Sequence, residues 1–307
     1  MPDGWMTGNG PKMKIGFYTS TFNDRPLEEV LDFAAAEGFD AVEIDVGGHI
    51  KLPDNVAPAV AEARHRGLSV AAITLNENQL DPYPQTRDEI WKLTHEFAAA
   101  VGAESVPILV IFPGRDANAP EDDDYRAFAD HAHAVLASTA ASGLSLAIEN
   151  WPGMKNDYIA TTPAGWGKLF ALVPDPRFGL EFDPSHLMTL GIDPFLALDG
   201  VKGRLKILHG KDTSIDAARL QAVGYYGAGW WRYCLPGTGD LDWRRLLDQV
   251  QNLGFDGTIS IEHEDSDFGW PGKDLESRKQ GERRAHRFLR GVMASMPWQR
   301  SAAHNPR

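Results

Sequence analysis

The sequence predicts a single (β/α)8 barrel of the TIM type, in the α/β class, and three observations indicate it. Short β-branched apolar segments alternate with helical segments along the whole chain. This alternation is typical of a parallel sheet covered by helices. Eight such units occupy 307 residues, enough for an eightfold barrel of roughly 250 residues. No glycine-rich turn follows the first strand, which disfavours the alternative, an open doubly wound sheet.

The eight predicted strands are short, mainly apolar runs, as expected for parallel strands buried on both faces. They span residues 14–20, 41–46, 69–76, 105–112, 144–150, 178–184, 204–212 and 257–265. Helices are predicted between them, for example at 26–38, 87–102 and 240–254. Several helical segments end in glycine, a common C-terminal signal. These glycines are Gly38, Gly67, Gly102, Gly143 and Gly254.

One catalytic domain is expected, because no linker or change of composition divides the chain. The barrel is predicted over residues 14–296, between a flexible N-terminal extension at 1–13 and a flexible tail at 297–307. The sequence contains no apolar run near the ~20 residues of a membrane span and no signal-peptide pattern. A single cysteine, Cys234, excludes an internal disulfide and fits a reducing, cytoplasmic environment.

The charge of the chain argues against two classes of partner. The formal net charge is -13. Surfaces that follow nucleic-acid phosphates, or that bind anionic membranes, are usually basic. We therefore expect neither a nucleic-acid nor a membrane partner.

Ionisable residues collect where four consecutive predicted strands end. Glu149, Asp183, His209 and Glu262 each follow an apolar run directly. Side-chain alternation places each of them on one face of its strand, and in a parallel barrel the C-terminal strand ends carry the reactive groups. A single such residue is more often a solvated loop residue, but four in succession are an unusual coincidence.

These four side chains predict a divalent metal site. Three carboxylates and one imidazole form a mainly oxygen ligand set that suits Mn²⁺, Mg²⁺ or Co²⁺. Such a cluster is costly to keep ionised without a cation. In the last of the four segments, "ISIEHED", His263 is expected to face the helices and Asp265 to lie in a loop.

Five segments, taken in order, resemble the xylose isomerase-like barrel superfamily, in particular its sugar phosphate isomerase/epimerase and ketose 3-epimerase group. The segments are "IEN", "FDPSH", "LHGKD", "LPGTGDLDW" and "IEHED". The resemblance implies that Glu149, Asp183, His209 and Glu262 bind one divalent ion, commonly Mn²⁺. It also implies that Glu149 and Glu262 are the acid/base pair on opposite faces of a sugar. His186 corresponds to a histidine that contacts a substrate oxygen.

Further substrate contacts are expected from residues around these strand ends. Arg232 is the counterpart of an arginine that precedes the "PGxG" turn in the ketose epimerases. Asn76, Trp151 and Glu264 are the other candidates. The aromatic insertion at 216–234 is expected to cover the site or to pack against another subunit. The resemblance implies a homodimer or homotetramer with a carbohydrate substrate.

Several functions remain open at this stage. The first is a metal-dependent sugar isomerase or epimerase that removes a proton next to a carbonyl. A 3-keto-glycoside lyase or epimerase needs the same metal and carboxylates. An endonuclease IV-like repair enzyme shares the barrel but uses more histidines at strand ends. A sugar-binding barrel without catalytic activity is disfavoured, because the set of four ligands is complete.

Overall fold

The computed structural model describes residues 13–155, 157–269 and 272–296. The predicted C-terminal tail at 297–307 lies outside the described residues, as does the predicted N-terminal extension at 1–13 apart from Met13. Within these ranges, eight parallel strands close into a barrel. The barrel strands are β1 Lys14–Tyr18, β2 Ala41–Val46, β3 Ser69–Asn78, β4 Ile108–Phe112, β5 Ser145–Glu149, β6 Phe178–Phe182, β7 Leu205–Gly210 and β10 Thr258–Ile261. The predicted fold class is confirmed.

Helices follow the strands and surround the barrel. They are α1 Leu27–Ala36, α2 Val56–His65, α3 Pro84–Ala103, α4 Glu121–Ser138, α5 Pro163–Leu172, α6 Pro184–Thr189, α7 Pro194–Leu198, α8 Ala217–Val223, α9 Trp243–Asn252 and α10 Leu275–Ser295. Helix α9 shows why these segments fold in this way. The Asp242 carboxylate accepts a hydrogen bond from the Arg245 amide and caps the helix, and Leu246 and Val250 are buried one turn apart.

A short hairpin interrupts the alternation after β7. Strand β8, Asp212–Ile215, pairs antiparallel with β9, Trp231–Cys234, and α8 lies between them in sequence. Helix α8 and strand β9 lie within the aromatic insertion predicted at 216–234, and β8 directly precedes it. Tyr233, on β9, reaches toward the barrel, while Tyr226 is fully exposed to solvent.

The interior of the barrel changes from apolar to polar along its axis. Ala72, Ile108, Val110, Ala147 and Ile207 form a small apolar cluster, separate from the larger core that includes the outer helices. Residues nearer the C-terminal ends are polar although they are buried: Glu43, Thr74, Glu181, His209 and Ser260. Because every strand is parallel, this polar layer lies at the end of the barrel where active sites form.

The eight barrel strands agree with the predicted strands in number and order, and the differences lie at their ends. The sixth strand was predicted to continue to residue 184 but ends at Phe182, because Asp183 caps α6. The fourth begins at Ile108 rather than at residue 105, since Ser105 has a positive φ of 54°. Among the described residues, no helix is long and apolar enough to cross a lipid bilayer.

Candidate metal and catalytic site

A cavity of about 300 Å³ opens at the C-terminal ends of the strands. Of the residues expected from the sequence to contact metal or substrate, six line it: Asn76, Glu149, Trp151, His186, Glu262 and Glu264. Asp183 and His209 are buried and lie against the lining residues. The structure therefore brings the four expected metal ligands together at one end of one cavity.

The ligand atoms converge around His209. Its Nδ1 atom lies 3.2 Å from Glu149 Oε1, 3.1 Å from Glu262 Oε2 and 3.6 Å from Asp183 Oδ2. Glu149, Asp183, His186 and Glu262 each offer a ligand atom within 4.8 Å of the others. Glu149 Oε1, Asp183 Oδ2 and His209 Nδ1 are buried and form no hydrogen bond of regular geometry, although Lys211 Nζ lies 3.1 Å from the Asp183 oxygen. Buried polar atoms normally have partners, so three orphaned atoms aimed at one another fit a bound cation.

A second acidic layer lies behind His209. Its Nε2 atom is 3.1 Å from Glu181 Oε1 and 3.4 Å from Glu43 Oε2, and both carboxyl groups are fully buried. Burial, with the charge of Glu43, raises the pKa of Glu181 well above its usual value. Burial also acts to raise the pKa of Glu43, but the hydrogen bond and charge of His209 outweigh it and lower the pKa. Like charges this close disfavour ionisation of both carboxyl groups at once.

The electrostatics of the site favour positive charge at His209. Burial lowers the pKa of His209, but the charges of Glu181 and Glu262 outweigh burial and raise the pKa well above its ordinary value. Burial would likewise raise the pKa of Glu149 and Asp183, yet His186 and the other neighbouring cations lower both. Either a proton on His209 or a divalent cation at its Nδ1 atom would balance the negative charge of the surrounding carboxylates.

Lys211 is a further charged residue at the site, and the sequence analysis assigned it no role. Its side chain is 1% exposed, and its Nζ lies 2.6 Å from Glu262 Oε2, 2.9 Å from Glu264 Oε2 and 3.1 Å from Asp183 Oδ2. Burial lowers the pKa of Lys211, but these carboxylates outweigh burial and raise the pKa well above the usual value. The ammonium group therefore remains charged and fixes the carboxylate of Glu262.

His186 is held from two sides. Its Nε2 lies 3.3 Å from both Glu149 Oε1 and Asp183 Oδ2, and its Nδ1 lies 2.8 Å from the Tyr233 hydroxyl. Helix α6 fixes the backbone of His186, because Asp183 caps that helix by accepting from the Ser185 amide at 2.7 Å. The "FDPSH" motif thus places a carboxylate and an imidazole three residues apart on one short helical turn.

The comparison with known families agrees with this geometry. A family model described as the xylose isomerase-like TIM barrel matches residues 31–292. The chain belongs to this family. Over most of its length the chain is also similar to YfiH, an uncharacterised protein of Bacillus subtilis (strain 168). The two are 25% identical over 299 residues, which cover 82% of this chain and 93% of the relative.

A shorter similarity links this xylose isomerase-like barrel to an inosose dehydratase of Lacticaseibacillus casei. The two are 27% identical over 107 residues, which cover 34% of this chain and 36% of the relative. The chain therefore spans about a third of that relative's length in the alignment.

Solved structures share the fold at low identity. A D-psicose 3-epimerase from Clostridium cellulolyticum H10 matches with a TM-score of 0.70 at 16% identity, over 92% of this chain and 99% of that one. The 3-keto-D-glucoside 4-epimerase YcjR from E. coli matches with a TM-score of 0.69 at 19% identity, over 91% and 100%. At these identities the likeness shows the fold alone.

Arg232 does not line the cavity. Its side chain is 47% exposed and points to Asp265 Oδ2 at 3.9 Å and Asp267 Oδ2 at 3.6 Å. Asp265 lies in the loop after β10, as expected, but it is not a solvated loop residue. Asp265 is 2% exposed and its carboxylate accepts a hydrogen bond from the Leu235 amide, so it anchors the turn after β9.

Asp212 connects the "KD" and "PGTGDLDW" segments of the chain through hydrogen bonds. Its buried carboxylate accepts from the amides of Gly237 at 3.0 Å and Leu241 at 3.1 Å, and from Trp243 Nε1 at 2.9 Å. The residue organises the turn that leads into α9 and makes no contact with the metal ligands. In the "LHGKD" segment, Asp212 therefore has a structural role, whereas His209 and Lys211 belong to the site.

His263 packs toward the terminal helix, as expected. A Cβ added at Gly281 of α10 would lie 2.1 Å from His263 Nε2, so only glycine leaves room for the ring. Burial lowers the pKa of His263 to about 4. The imidazole is therefore neutral near neutral pH, and its edge also reaches the cavity.

Proposed function

We propose that this protein is a divalent-metal-dependent sugar isomerase or epimerase. In this proposal it removes a proton next to a carbonyl, through an enediolate, with Glu149 and Glu262 as the acid/base pair. The observation that supports the proposal best is the set of three orphaned buried atoms, Glu149 Oε1, Asp183 Oδ2 and His209 Nδ1, beside Glu262. The sugar epimerases among the structural neighbours point to the same chemistry and to a carbohydrate substrate.

Glu149, Asp183, His209 and Glu262 would hold one metal ion, for which Mn²⁺ is our first candidate, with Mg²⁺ or Co²⁺ as alternatives. A bound divalent ion supplies Lewis-acid stabilisation of negative charge that develops on substrate oxygens. Glu262 Oε2 and Glu149 Oε1 lie 3.1 Å and 3.2 Å from the same atom, His209 Nδ1, and in this proposal they flank the substrate carbon. Two carboxylates so placed suit removal of a proton from one face of a carbon and its return to the other.

The remaining residues have supporting roles in this proposal. Lys211 orients Glu262, and Tyr233 orients His186, whose Nε2 would contact a substrate oxygen. Asn76, Trp151 and Glu264 line the cavity and would contact the rest of the sugar. The edges of Phe112 and Tyr158 pack on the Trp151 ring with centroids 5.5 Å and 5.3 Å away, which holds this aromatic wall in place.

A lyase or epimerase acting on a 3-keto-glycoside or a related cyclic ketone is the second candidate. Both reactions need the same proton abstraction, which a lyase completes by loss of a leaving group and an epimerase by return of a proton. The 107-residue similarity to an inosose dehydratase supports this second candidate. Endonuclease IV-like repair fits less well, since the described metal cluster combines carboxylates with His186 and His209 rather than with several histidines.

The decisive experiment exposes the purified protein with Mn²⁺ to ketoses, inososes and 3-keto-glycosides in D₂O. NMR then measures deuterium incorporation at the carbon next to the carbonyl, and elimination appears as a new product. Glu149→Gln and Glu262→Gln should each abolish exchange, whereas the exposed Glu77→Gln should not. Normal exchange in either site variant would rule out the two-carboxylate mechanism.

Metal content is tested separately. We expect about one divalent ion per chain by elemental analysis, and loss of exchange after chelation that Mn²⁺ restores. Asp183→Asn should lower the metal content, because Asp183 is fully buried against His209 and has an orphaned oxygen. Full activity in a metal-free preparation would contradict the proposal.

A further inference from the structure

The second acidic layer, formed by Glu43 and Glu181, has no role in the proposed chemistry, although it contacts the imidazole of His209. Both residues are fully buried, and neither lines the cavity in which a substrate would lie. Glu43 comes from β2 and Glu181 from β6, and the closed barrel brings both carboxyl groups to the Nε2 side of the ring. Through this imidazole the layer can act on the site.

The carboxyl oxygens that face His209 have no regular partner among the described residues. Glu181 Oε1 lies 3.1 Å from His209 Nε2 and Glu43 Oε2 lies 3.4 Å from it, and all three atoms are buried without a hydrogen bond of regular geometry. The other oxygen of Glu43 is held, because the Thr74 hydroxyl donates to Glu43 Oε1. Since buried polar atoms normally have partners, an N–H at Nε2 would serve both facing carboxyl groups.

The opposite side of the ring determines where the hydrogen of His209 must be. A neutral imidazole has one N–H and one lone pair, and a metal ion binds to the lone pair. Nδ1 lies 3.2 Å from Glu149, 3.6 Å from Asp183 and 3.1 Å from Glu262, so a bound ion would lie on this side. The hydrogen is then on Nε2. Carboxyl groups that accept such a hydrogen fix the tautomer and orientation of a metal-binding histidine and increase its basicity.

A second cation between Glu43, Glu181 and His209 is the competing explanation of the layer. The three residues each offer a ligand atom within 4.8 Å of the others. An ion at this place would need the lone pair of Nε2, however, and a neutral ring whose Nδ1 already binds an ion has none left to give. A hydrogen atom therefore fits between the ring and the layer better than a second metal ion.

We propose that Glu43 and Glu181 are positioning residues that accept the Nε2 hydrogen of His209 and thereby direct the Nδ1 lone pair to the metal ion. This inference rests on the proposed function for the metal, and adds the buried residues that set its affinity. Because neither residue lines the cavity, loss of the layer should weaken metal binding directly.

Binding of Mn²⁺ to the purified protein without substrate, measured by electron paramagnetic resonance, tests the inference. Glu181→Leu replaces both oxygens by an apolar side chain of similar size and should weaken Mn²⁺ binding about tenfold, as is usual when such a partner is lost. Glu43→Leu should have the same effect. Glu181→Gln keeps one acceptor oxygen and should restore part of the affinity. Native affinity in both leucine variants would overturn the inference.

Glu282→Leu is the matched control. Glu282 is also fully buried and neither of its carboxyl oxygens has a regular partner, but it lies on the outer helix α10. This variant should bind Mn²⁺ like the native protein. Glu181→Leu should not lower the free energy of unfolding in chelator, because it removes a like charge beside Glu43. Loss of stability in chelator with an unchanged Mn²⁺ affinity would show a purely structural role for Glu181 and contradict the inference.

Nitrogen NMR of protein labelled with ¹⁵N-histidine identifies the tautomer of His209 directly. In the diamagnetic Zn²⁺-loaded protein, we expect the hydrogen on Nε2 and the metal on Nδ1, and the signals are assigned by their absence in His209→Gln. Glu181→Leu should shift the Nε2–H resonance to higher field, since a hydrogen bond to a carboxyl group is lost. A hydrogen on Nδ1, or a second ion per chain that is lost in Glu181→Leu, would overturn the inference.

These outcomes are distinguishable from failure of the proposed function. If Mn²⁺ binding depends on Glu181 and Glu43 but no substrate shows deuterium exchange, the positioning role stands and the enolisation chemistry fails. If exchange occurs and both leucine variants bind Mn²⁺ like the native protein, the chemistry stands and this inference fails. Absence of Mn²⁺ binding to the native protein would contradict both.

Discussion

Lys211 Nζ lies 2.6 Å from Glu262 Oε2, and this buried ion pair joins two neighbouring strands at the mouth of the barrel. Glu262 is one of the two proposed acid/base carboxylates, and Lys211 follows His209 by two residues, directly after the last residue of β7. The alternation of side chains along β7, continued by one residue, places both basic side chains on the inner face. The pair therefore fixes the orientation of Glu262, whereas His209 defines where a metal would lie.

Lys211→Met should destabilise the protein, because it leaves Glu262 and Asp183 without their buried cation. Loss of one partner of a buried pair costs on the order of 3 kcal/mol in the free energy of unfolding. Added Mn²⁺ should restore part of the loss, since a divalent ion is an alternative partner. Urea unfolding in chelator and in Mn²⁺ measures both effects.

The matched control is Lys92→Met, which removes a solvent-exposed pair with Glu96 at 3.8 Å. Exposed pairs contribute at most about 1 kcal/mol, so this variant should unfold like the native protein. If Lys211→Met were no less stable than Lys92→Met, Lys211 would not hold the carboxylates together.

Tyr233→Phe should lower kcat about tenfold with little change in KM. The variant removes the hydroxyl that lies 2.8 Å from His186 Nδ1 but keeps the ring, which packs edge-on against the imidazole. A single hydrogen bond of this kind is worth about 1 to 1.5 kcal/mol. Steady-state kinetics on the substrate identified by NMR, with metal content measured in parallel, tests this positioning role.

Tyr226→Phe, in the segment that joins β8 to β9, is the control for Tyr233→Phe because its side chain is fully exposed. A purely structural role for Tyr233 would lower the stability and the metal content but leave kcat per bound metal unchanged. That result would refute the positioning role.

The sequence was sufficient to predict the barrel and those site residues that a local sequence pattern marks. Glu149, Asp183, His209 and Glu262 each follow an apolar run, and the parallel topology then brings the strand ends together. This pattern does not depend on the loops. The four residues therefore converge although the predicted and observed strand ends differ.

Residues that act through non-local contacts were not predictable in the same way. The role of Lys211 was not predicted, because "HGKD" is typical of the polar end of a strand. Lys211 follows His209 by two residues, however, and this spacing indicates the inner face. Glu43 and Glu181 are acids within otherwise apolar stretches of strand, and only the closed barrel places both behind His209. Arg232 lies on a hairpin whose direction no local pattern specifies, and its pairing with Asp265 and Asp267 moves it away from the cavity.

Asp212→Asn should lower the free energy of unfolding by about 2 kcal/mol or more. The Asp212 carboxylate accepts from Gly237, Leu241 and Trp243, and an amide replaces one acceptor oxygen by a donor. A buried donor facing another donor costs about 1 to 3 kcal/mol. Urea unfolding measures the change, with the exposed Asp267→Asn as control. Equal stability of the two variants would mean that the turn does not depend on this carboxylate.

His131 should make the protein sensitive to acid. It is 3% exposed, its Nε2 has no hydrogen-bond partner, and it stacks on Trp91 with ring centroids 4.6 Å apart. Burial, with the charge of His95, lowers the pKa of His131 from 6.5 to about 3. The unfolded state therefore binds more protons below pH 6.5, and the free energy of unfolding falls with decreasing pH by up to about 1.4 kcal/mol per pH unit.

His131→Phe keeps the stacking on Trp91 and should flatten this pH dependence between pH 6.5 and 4. The control His65→Phe, on the exposed face of α2, should leave the pH dependence unchanged. Urea unfolding at several pH values measures the slopes, and equal slopes for His131→Phe and the native protein would exclude His131 as the cause.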